Sequence, residues 1–192
     1  MSTPKIQQVC IKFPFADPAS LELDAFIPLF HAWIAEGRIE DELLIDVADY
    51  RHVPGGPGVM LIAHQAHYAI DSGGGSVGLL YSGRRDEPQD AQAAFRFALA
   101  RAAQAALQIE SEFPTLTFDP ARIEMRVASR LVAPNTTETR LAIEPVWKQV
   151  LESVGFVEPT FVAQSDPRQV FGLAMQRCAT APNLTILGET KA

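Results

Sequence analysis

Residues 52–81 read HVPGGPGVMLIAHQAHYAIDSGGGSVGLLY, in which two glycine-rich breaks bracket an apolar run. A phosphate-binding loop or a dinucleotide fingerprint needs a helix directly after its glycines. In this stretch an apolar run typical of a strand follows the glycines, so both breaks predict tight turns. We therefore expect an antiparallel meander in which residues 58–70 form one central strand and residues 76–83 form the next.

The segments on either side of this meander predict an α+β fold, mainly antiparallel sheet with three helices. The longest helix is expected over residues 88–113, because this segment is rich in alanine and no glycine or proline interrupts it after Pro88. Apolar residues at helical spacing predict one helix that ends at Gly37 and another that starts with Asn135 as its cap and ends at Gly155. Period-two patterns or short apolar runs predict the remaining strands, near residues 9–15, 42–50, 122–131, 160–164, 169–176 and 184–188.

The two halves of the chain resemble each other in the order of their elements. FIPLFHAWIAEG precedes IDVAD in the first half, and IEPVWKQVLESVG precedes TFVAQ in the second. We expect a degenerate duplication of a β-α-β-β(-β) unit within one compact domain: a first half over 1–87, a linking helix over 88–113 and a second half over 114–192. Similar packing of two amphipathic helices is the alternative explanation.

The composition limits the classes of partner. The chain of 192 residues has 16 basic and 23 acidic side chains and a net charge of −7. Proteins that grip phosphate backbones or anionic membranes concentrate lysine and arginine, so neither nucleic acid nor a membrane is expected as a partner. Cys10 and Cys178, in apolar surroundings, are expected to be reduced and buried, and with no secretory signal in the sequence we expect a cytoplasmic protein.

Two histidines of the quoted stretch raise the question of a metal site. His64 and His67 are three residues apart. On one continuous strand they would face opposite sides, with His64 beside Met60 and Ile62 and His67 beside Leu61. Pairs of zinc ligands need i, i+2 spacing on a strand or i, i+4 spacing on a helix. We therefore predict no metal site and no cofactor.

Acidic residues of the preceding strand supply the most reactive combination that the sequence offers. If the strands pair across PGGPG, Asp46 or Asp49 could lie beside a histidine and form an Asp–His pair able to act as a general base. Ion pairs with an arginine such as Arg51 are the alternative. The candidate pocket comprises Asp46, Asp49, His52, His64, His67 and Tyr68.

The sequence thus supports two functions. The first is a non-catalytic protein that binds a small molecule or a protein partner, because the chain lacks a catalytic, metal or cofactor motif. The second is a small enzyme of hydrolase or isomerase type that uses the Asp–His pair on the hairpin over residues 46–68, with or without a metal. The alanine stripe of the long helix favours burial within one subunit, with a homodimer seam as the alternative.

Overall fold

The structure is a computed structural model that describes residues 5–19, 21–84, 88 and 90–189. The eight strands are β1 (Val9–Pro14), β2 (Leu44–Tyr50), β3 (Gly58–Ala63), β4 (Ala66–Asp71), β5 (Gly78–Gly83), β6 (Glu124–Val127), β7 (Thr160–Ala163) and β8 (Phe171–Arg177). The helices are α1 (Phe26–Glu36), α2 (Ala91–Glu112), α3 (Thr137–Ser153) and the short α4 (Leu184–Gly188). The predicted boundary between the first half and the linking helix, at residues 87 and 88, involves a position outside the described residues. The N-terminal residues 1–4, part of the region where a secretory signal was sought, also lie outside them.

All eight strands belong to one antiparallel sheet in the order β2-β3-β4-β5-β1-β6-β8-β7. The predicted α+β class, with a mainly antiparallel sheet and three longer helices, is confirmed. β1 and β6 lie side by side in the middle of the sheet, and each also pairs with the last strand of its own half. The second half has fewer strands than the first, and the internal duplication stays a prediction.

One face of the sheet packs against the helices and forms the core. Ile11 on β1, Tyr81 on β5 and Met125 on β6 lie in register across neighbouring strands and are buried. These side chains join one hydrophobic cluster with residues of α1, α2, α3 and α4. Since alternate residues of a strand point to opposite faces, the residues between them form the other face, which we call the open face.

Helix α2 begins one residue after its cap and runs along the core. The Asp90 side chain accepts hydrogen bonds from the backbone N–H groups of Gln92 and Ala93, so the helix starts at Ala91 and not at residue 88. Its alanines let other elements approach closely, and α2 contacts β1, β5, α3 and α4. The alanine stripe is therefore buried within the chain. This is the alternative that the sequence favours over a homodimer seam.

The prediction of one strand over residues 58–70 is wrong. The chain reverses at His64 and Gln65 and forms the β3–β4 hairpin, in which Ile62 pairs with His67. The backbone N–H of His64 donates to the carbonyl of Leu43 at 2.9 Å, and the carbonyl of Gln65 accepts from the backbone of Arg84 at 2.9 Å. These hydrogen bonds to the neighbouring segments fix the turn. The turn contains no glycine, which is the residue that marks tight turns in a sequence.

Two boundaries in the second half also differ from the prediction. Residues 184–188 form helix α4 instead of a strand, because the Asn183 side chain accepts from the backbone of Ile186 and the buried Leu184 and Leu187 lie one turn apart. Helix α3 is capped by Thr136, one residue after the predicted Asn135. Among the described residues, no helix is both long and apolar enough to cross a membrane.

Candidate functional site

The open face of the sheet carries the polar side chains that the strand pattern leaves out of the core. Two rows of paired residues run across this face, and each row continues from one strand to the next. One contains Asp46, Ile62, His67, Ser82, Cys10, Arg126 and Gly172, and the other contains Ala48, Met60, Ala69, Leu80, Lys12, Glu124, Ala174 and Val162. The strand register therefore brings charged residues from distant parts of the sequence onto one surface.

Lys12 on this face is fully buried and fixes residues 72–77, the second glycine-rich break of the sequence, which we call the glycine-rich segment. Its ammonium donates to Oδ2 of Asp71 at 2.7 Å, to the carbonyl of Gly73 at 2.7 Å and to the carbonyl of Ser76 at 2.6 Å. All three N–H donors of the ammonium thus have acceptors. The segment was predicted to be a plain turn; here two of its carbonyls face a cation, whereas a phosphate loop presents its N–H groups to an anion.

Beside this cluster, Glu124 and Arg126 of β6 form an ion pair on the open face. Nη2 of Arg126 lies 2.9 Å from Oε2 of Glu124, and the hydroxyl of Ser76 donates to the other oxygen, Oε1, at 2.7 Å. Both residues are partly buried, with 29% of the Arg126 side chain and 16% of the Glu124 side chain exposed. The glycine-rich segment is therefore tied both to Lys12 and to this pair.

A cleft of about 660 Å³ opens over the ion pair, between the glycine-rich segment and the β7–β8 hairpin. Glu124 and Arg126 lie on its floor, Gly74 lies on one side, and residues 162–166 with Gln169 lie on the other. Its volume falls within the range of small-molecule sites, roughly 300–1,000 Å³. This cleft is the candidate functional site.

The β7–β8 connection that borders the cleft is held in place by hydrogen bonds. The side-chain amide of Asn135 donates to the carbonyls of Gln164 at 3.1 Å and Asp166 at 2.8 Å. The Asp166 carboxylate accepts from the backbone and side chain of Arg168, and these bonds lower its pKa below the ordinary value. The border of the cleft is thus preformed.

The predicted acidic residues lie at the other end of the sheet and have other partners. Asp49 binds Arg51 through Nε at 2.8 Å and Nη2 at 2.6 Å, which is the ion pair named as the alternative, and Arg51 also pairs with Asp24. Asp46 accepts from the backbone N–H of Val47 at 2.8 Å. No hydrogen bond between these aspartates and a histidine occurs in the described part of the chain.

The predicted histidines are spread over three different environments. His52 follows β2 and stacks on Tyr50, with ring centroids 6.3 Å apart, while His64 lies exposed in the β3–β4 turn. Because that turn reverses the chain, His67 lies on the same face as Met60, not on the face of Leu61 as the single strand predicted. His67 and Asp46 share the open face, but β3 separates them, so their backbones are two strand spacings, about 10 Å, apart.

The two neighbours of the His67 ring favour one tautomer of its neutral form. Nη1 of Arg84 lies 3.0 Å from Nε2, and Sδ of Met60 lies 3.2 Å from Nδ1. Since a guanidinium only donates, Nε2 is the acceptor and Nδ1 carries the proton that points at the sulfur. Burial, followed by the charge of Arg84, lowers the pKa of His67. A neutral ring that already accepts from an arginine is a poor site for a metal.

Tyr68 faces the core, on the opposite face of the sheet from Asp46 and His67. Its hydroxyl donates to Oε1 of Glu42 at 3.2 Å, and burial raises its pKa well above the ordinary value. Burial also raises the pKa of Glu42, whose second oxygen Oε2 is buried without a hydrogen-bond partner. The candidate pocket of the sequence argument is therefore divided between both faces of the sheet.

The residues of the cleft were missed at the sequence level. Glu124 and Arg126 flank Met125 in EMRV, and Lys12 lies between Ile11 and Phe13, so each occupies the polar phase of a period-two pattern. Such charges usually face solvent, and only the folding of residues 72–77 over them buries Lys12 and encloses the cleft. The i, i+2 spacing of Glu124 and Arg126 was the one signal that could have paired them.

No group of three or more His, Cys, Asp and Glu side chains among the described residues could hold a metal ion. Comparison of the chain with protein-family models and with curated proteins finds no match. The cleft is therefore the basis of the proposed function.

Proposed function

We propose that this protein binds a small organic molecule in the cleft over the Glu124–Arg126 pair, without catalysing its conversion. The observation that carries the proposal is a preformed concave site whose floor holds a partly buried guanidinium with one partner, Glu124, among the described residues. Ligand sites combine a mostly apolar lining with a few fixed polar groups. Val162 and Ala174 supply apolar surface beside this ion pair.

The alternative function, an enzyme of hydrolase or isomerase type on the hairpin over residues 46–68, has less support. Asp49 is already paired with Arg51, and β3 lies between Asp46 and His67. A protein partner or a second copy of the chain is a further alternative, for which the described surface offers scattered apolar side chains such as Leu131 and Leu141. The net charge of −7 favours neither nucleic acid nor an anionic membrane as partner, and the proposed location is the cytoplasm.

A fragment screen by ¹⁵N-HSQC NMR on the assigned protein tests this function. We expect binding fragments to shift the amide signals of Arg126, Gly172, residues 164–166 and residues 168–169. Ala174→Phe fills the cleft and should abolish these shifts. The matched control is Ala48→Phe, which adds the same ring in the same open-face row at the opposite end of the sheet. Fragments that shift only the hairpin over residues 46–68, or none that bind anywhere, would overturn the proposal.

A further inference from the structure

We propose that the ligand of this cleft carries a carboxylate, which binds the edge of the Arg126 guanidinium that Glu124 leaves free. The inference rests on the proposed function of the cleft and specifies the chemical class of its ligand.

The free edge follows from the geometry of a guanidinium. The group has five N–H donors, which form two edges with two parallel donors each, and Nη2 belongs to both edges. Glu124 receives one hydrogen bond from Nη2, at 2.9 Å. A single N–H of Nη2 points along one edge, so the other edge keeps both of its donors. A pair of parallel donors matches the two oxygens of a carboxylate.

The acidic residues around the cleft are already engaged and leave the guanidinium as the unsatisfied group. Glu124 accepts from Ser76 through Oε1 and from Arg126 through Oε2. Asp166 accepts from the backbone N–H and from the side chain of Arg168. Four of the five N–H donors of Arg126 have no partner among the described residues, which favours a ligand group that only accepts hydrogen bonds, as an ionised carboxylate does.

Two glycines leave the space that the Arg126 side chain occupies. A methyl group at Gly172, directly opposite on β8, would lie 3.3 Å from Cγ of Arg126, and one at Gly74 would lie 3.0 Å from its Nη2. The arginine therefore lies in a slot that any larger residue would narrow. A side chain that is fixed before binding loses little conformational entropy when the ligand arrives, which favours recognition by this one group.

The lining indicates what the rest of the ligand is like. Val162 and Ala174 offer apolar contacts, and no second cationic side chain lines the described cleft. A monocarboxylate with a compact apolar body fits these surroundings better than a dicarboxylate or a phosphate ester, which would leave a second charge without a partner.

Isothermal titration calorimetry with benzoate and its neutral isostere benzamide tests the inference. We expect benzoate to bind about tenfold or more tightly than benzamide, because hydrogen bonds between charged groups are the stronger ones. Arg126→Lys keeps the charge and the partner for Glu124 but removes the parallel donors, and should lower benzoate affinity about tenfold with little effect on benzamide. The matched control, Arg140→Lys, changes an exposed arginine that pairs with Glu144 on helix α3 and should leave both affinities unchanged.

Equal affinity for benzoate and benzamide, or full benzoate affinity in Arg126→Lys, would overturn the carboxylate proposal while the cleft remained a ligand site. If neither compound nor any screened fragment shifted the amide signals of the cleft, the proposed function itself would fail. The comparison of the two compounds on the wild-type protein needs no variant, so it decides the question even if Arg126→Lys is poorly folded.

Discussion

Nη2 of Arg126 lies 2.9 Å from Oε2 of Glu124, and a Cβ atom added at position 74 would lie 3.0 Å from the same Nη2. The first contact fixes the guanidinium on the floor of the cleft. The second ties its position to the glycine-rich segment, which Lys12 anchors from below. A change in the conformation of this segment is therefore expected to change the affinity of the cleft for its ligand.

Gly74→Ala should shift the Arg126 guanidinium by a few tenths of an ångström, and Gly75→Ala should not. Both glycines have left-handed backbones, with φ of +76° at Gly74 and +84° at Gly75, so alanine is strained at either position. A methyl group at Gly74 would lie 3.0 Å from Nη2 of Arg126, whereas one at Gly75 has no atom within 4 Å. The ¹⁵Nε signal of Arg126 reports the displacement. Equal shifts of this signal in both variants would contradict the proposed contact.

Lys12→Met should be strongly destabilising. The substitution leaves the buried carboxylate of Asp71 and the carbonyls of Gly73 and Ser76 without their donor. Breaking a buried ion pair by removing one partner costs about 3–5 kcal/mol in the free energy of unfolding. Urea denaturation measures the loss. The control is Lys148→Met, which removes an exposed lysine 3.8 Å from Glu152 and should change the free energy of unfolding by about 0.5 kcal/mol or less. Similar values for the two variants would refute the structural role of Lys12.

Much of the fold could be predicted from the sequence, because the core-facing strand residues and the alanine-rich helix follow regular periods. The β3–β4 turn could not, since His64 and Gln65 are held by bonds to Leu43 and Arg84 that exist only once the neighbouring strands are in place. For helix α4 the short run LTILG fits either period, and only the cap by Asn183 decides between them.

The raised pKa of Glu42 predicts a pH-dependent stability. Burial raises this pKa in the folded protein above the ordinary 4.5, so the folded state keeps its proton to higher pH than the unfolded state does. The contribution of Glu42 to the free energy of unfolding is therefore full below the unfolded pKa and is lost as the pH rises through the folded pKa. Relative to Glu42→Gln, the wild type should lose stability as the pH rises from about 4.5.

Urea denaturation of both proteins between about pH 4 and pH 8 checks this prediction. Tyr68→Phe removes a hydrogen bond that lowers the pKa of Glu42, so it should extend the loss to higher pH. Glu36→Gln provides the control, since it removes a carboxyl group that lies exposed at the surface. Parallel curves for the wild type and Glu42→Gln would show that the Glu42 carboxyl has no raised pKa.

His67 should titrate below the ordinary pKa of 6.5, and Arg84→Gln should bring it part of the way back. Burial is the larger cause of the lowered pKa and remains in the variant, whereas the charge of Arg84 is removed. Histidine ring signals in NMR give both pKa values, and in the neutral ring they should show the proton on Nδ1. Arg140→Gln, on helix α3, is the control. An unchanged His67 pKa in Arg84→Gln would rule out the contact between the two side chains.

The site was harder to predict than the fold, for a physical reason. The histidines and aspartates drew attention because of their reactivity, but reactivity says nothing about which side chains a turn brings together. Lys12, Glu124 and Arg126 follow an ordinary polar phase in their strands. Their burial depends on residues 72–77 folding over the open face, a contact between segments about 50 residues apart for Ser76 and Glu124.

The most direct test of the cleft and of its carboxylate specificity is a crystal soaked in 4-bromobenzoate, in which anomalous scattering locates the bromine independently of the protein phases. We expect one bromine peak inside the cleft, with the carboxylate against the free edge of Arg126 and the ring beside Val162 and Ala174. A fully occupied bromine elsewhere on the protein with an empty cleft, or a ligand in the cleft with its carboxylate directed away from Arg126, would contradict the account.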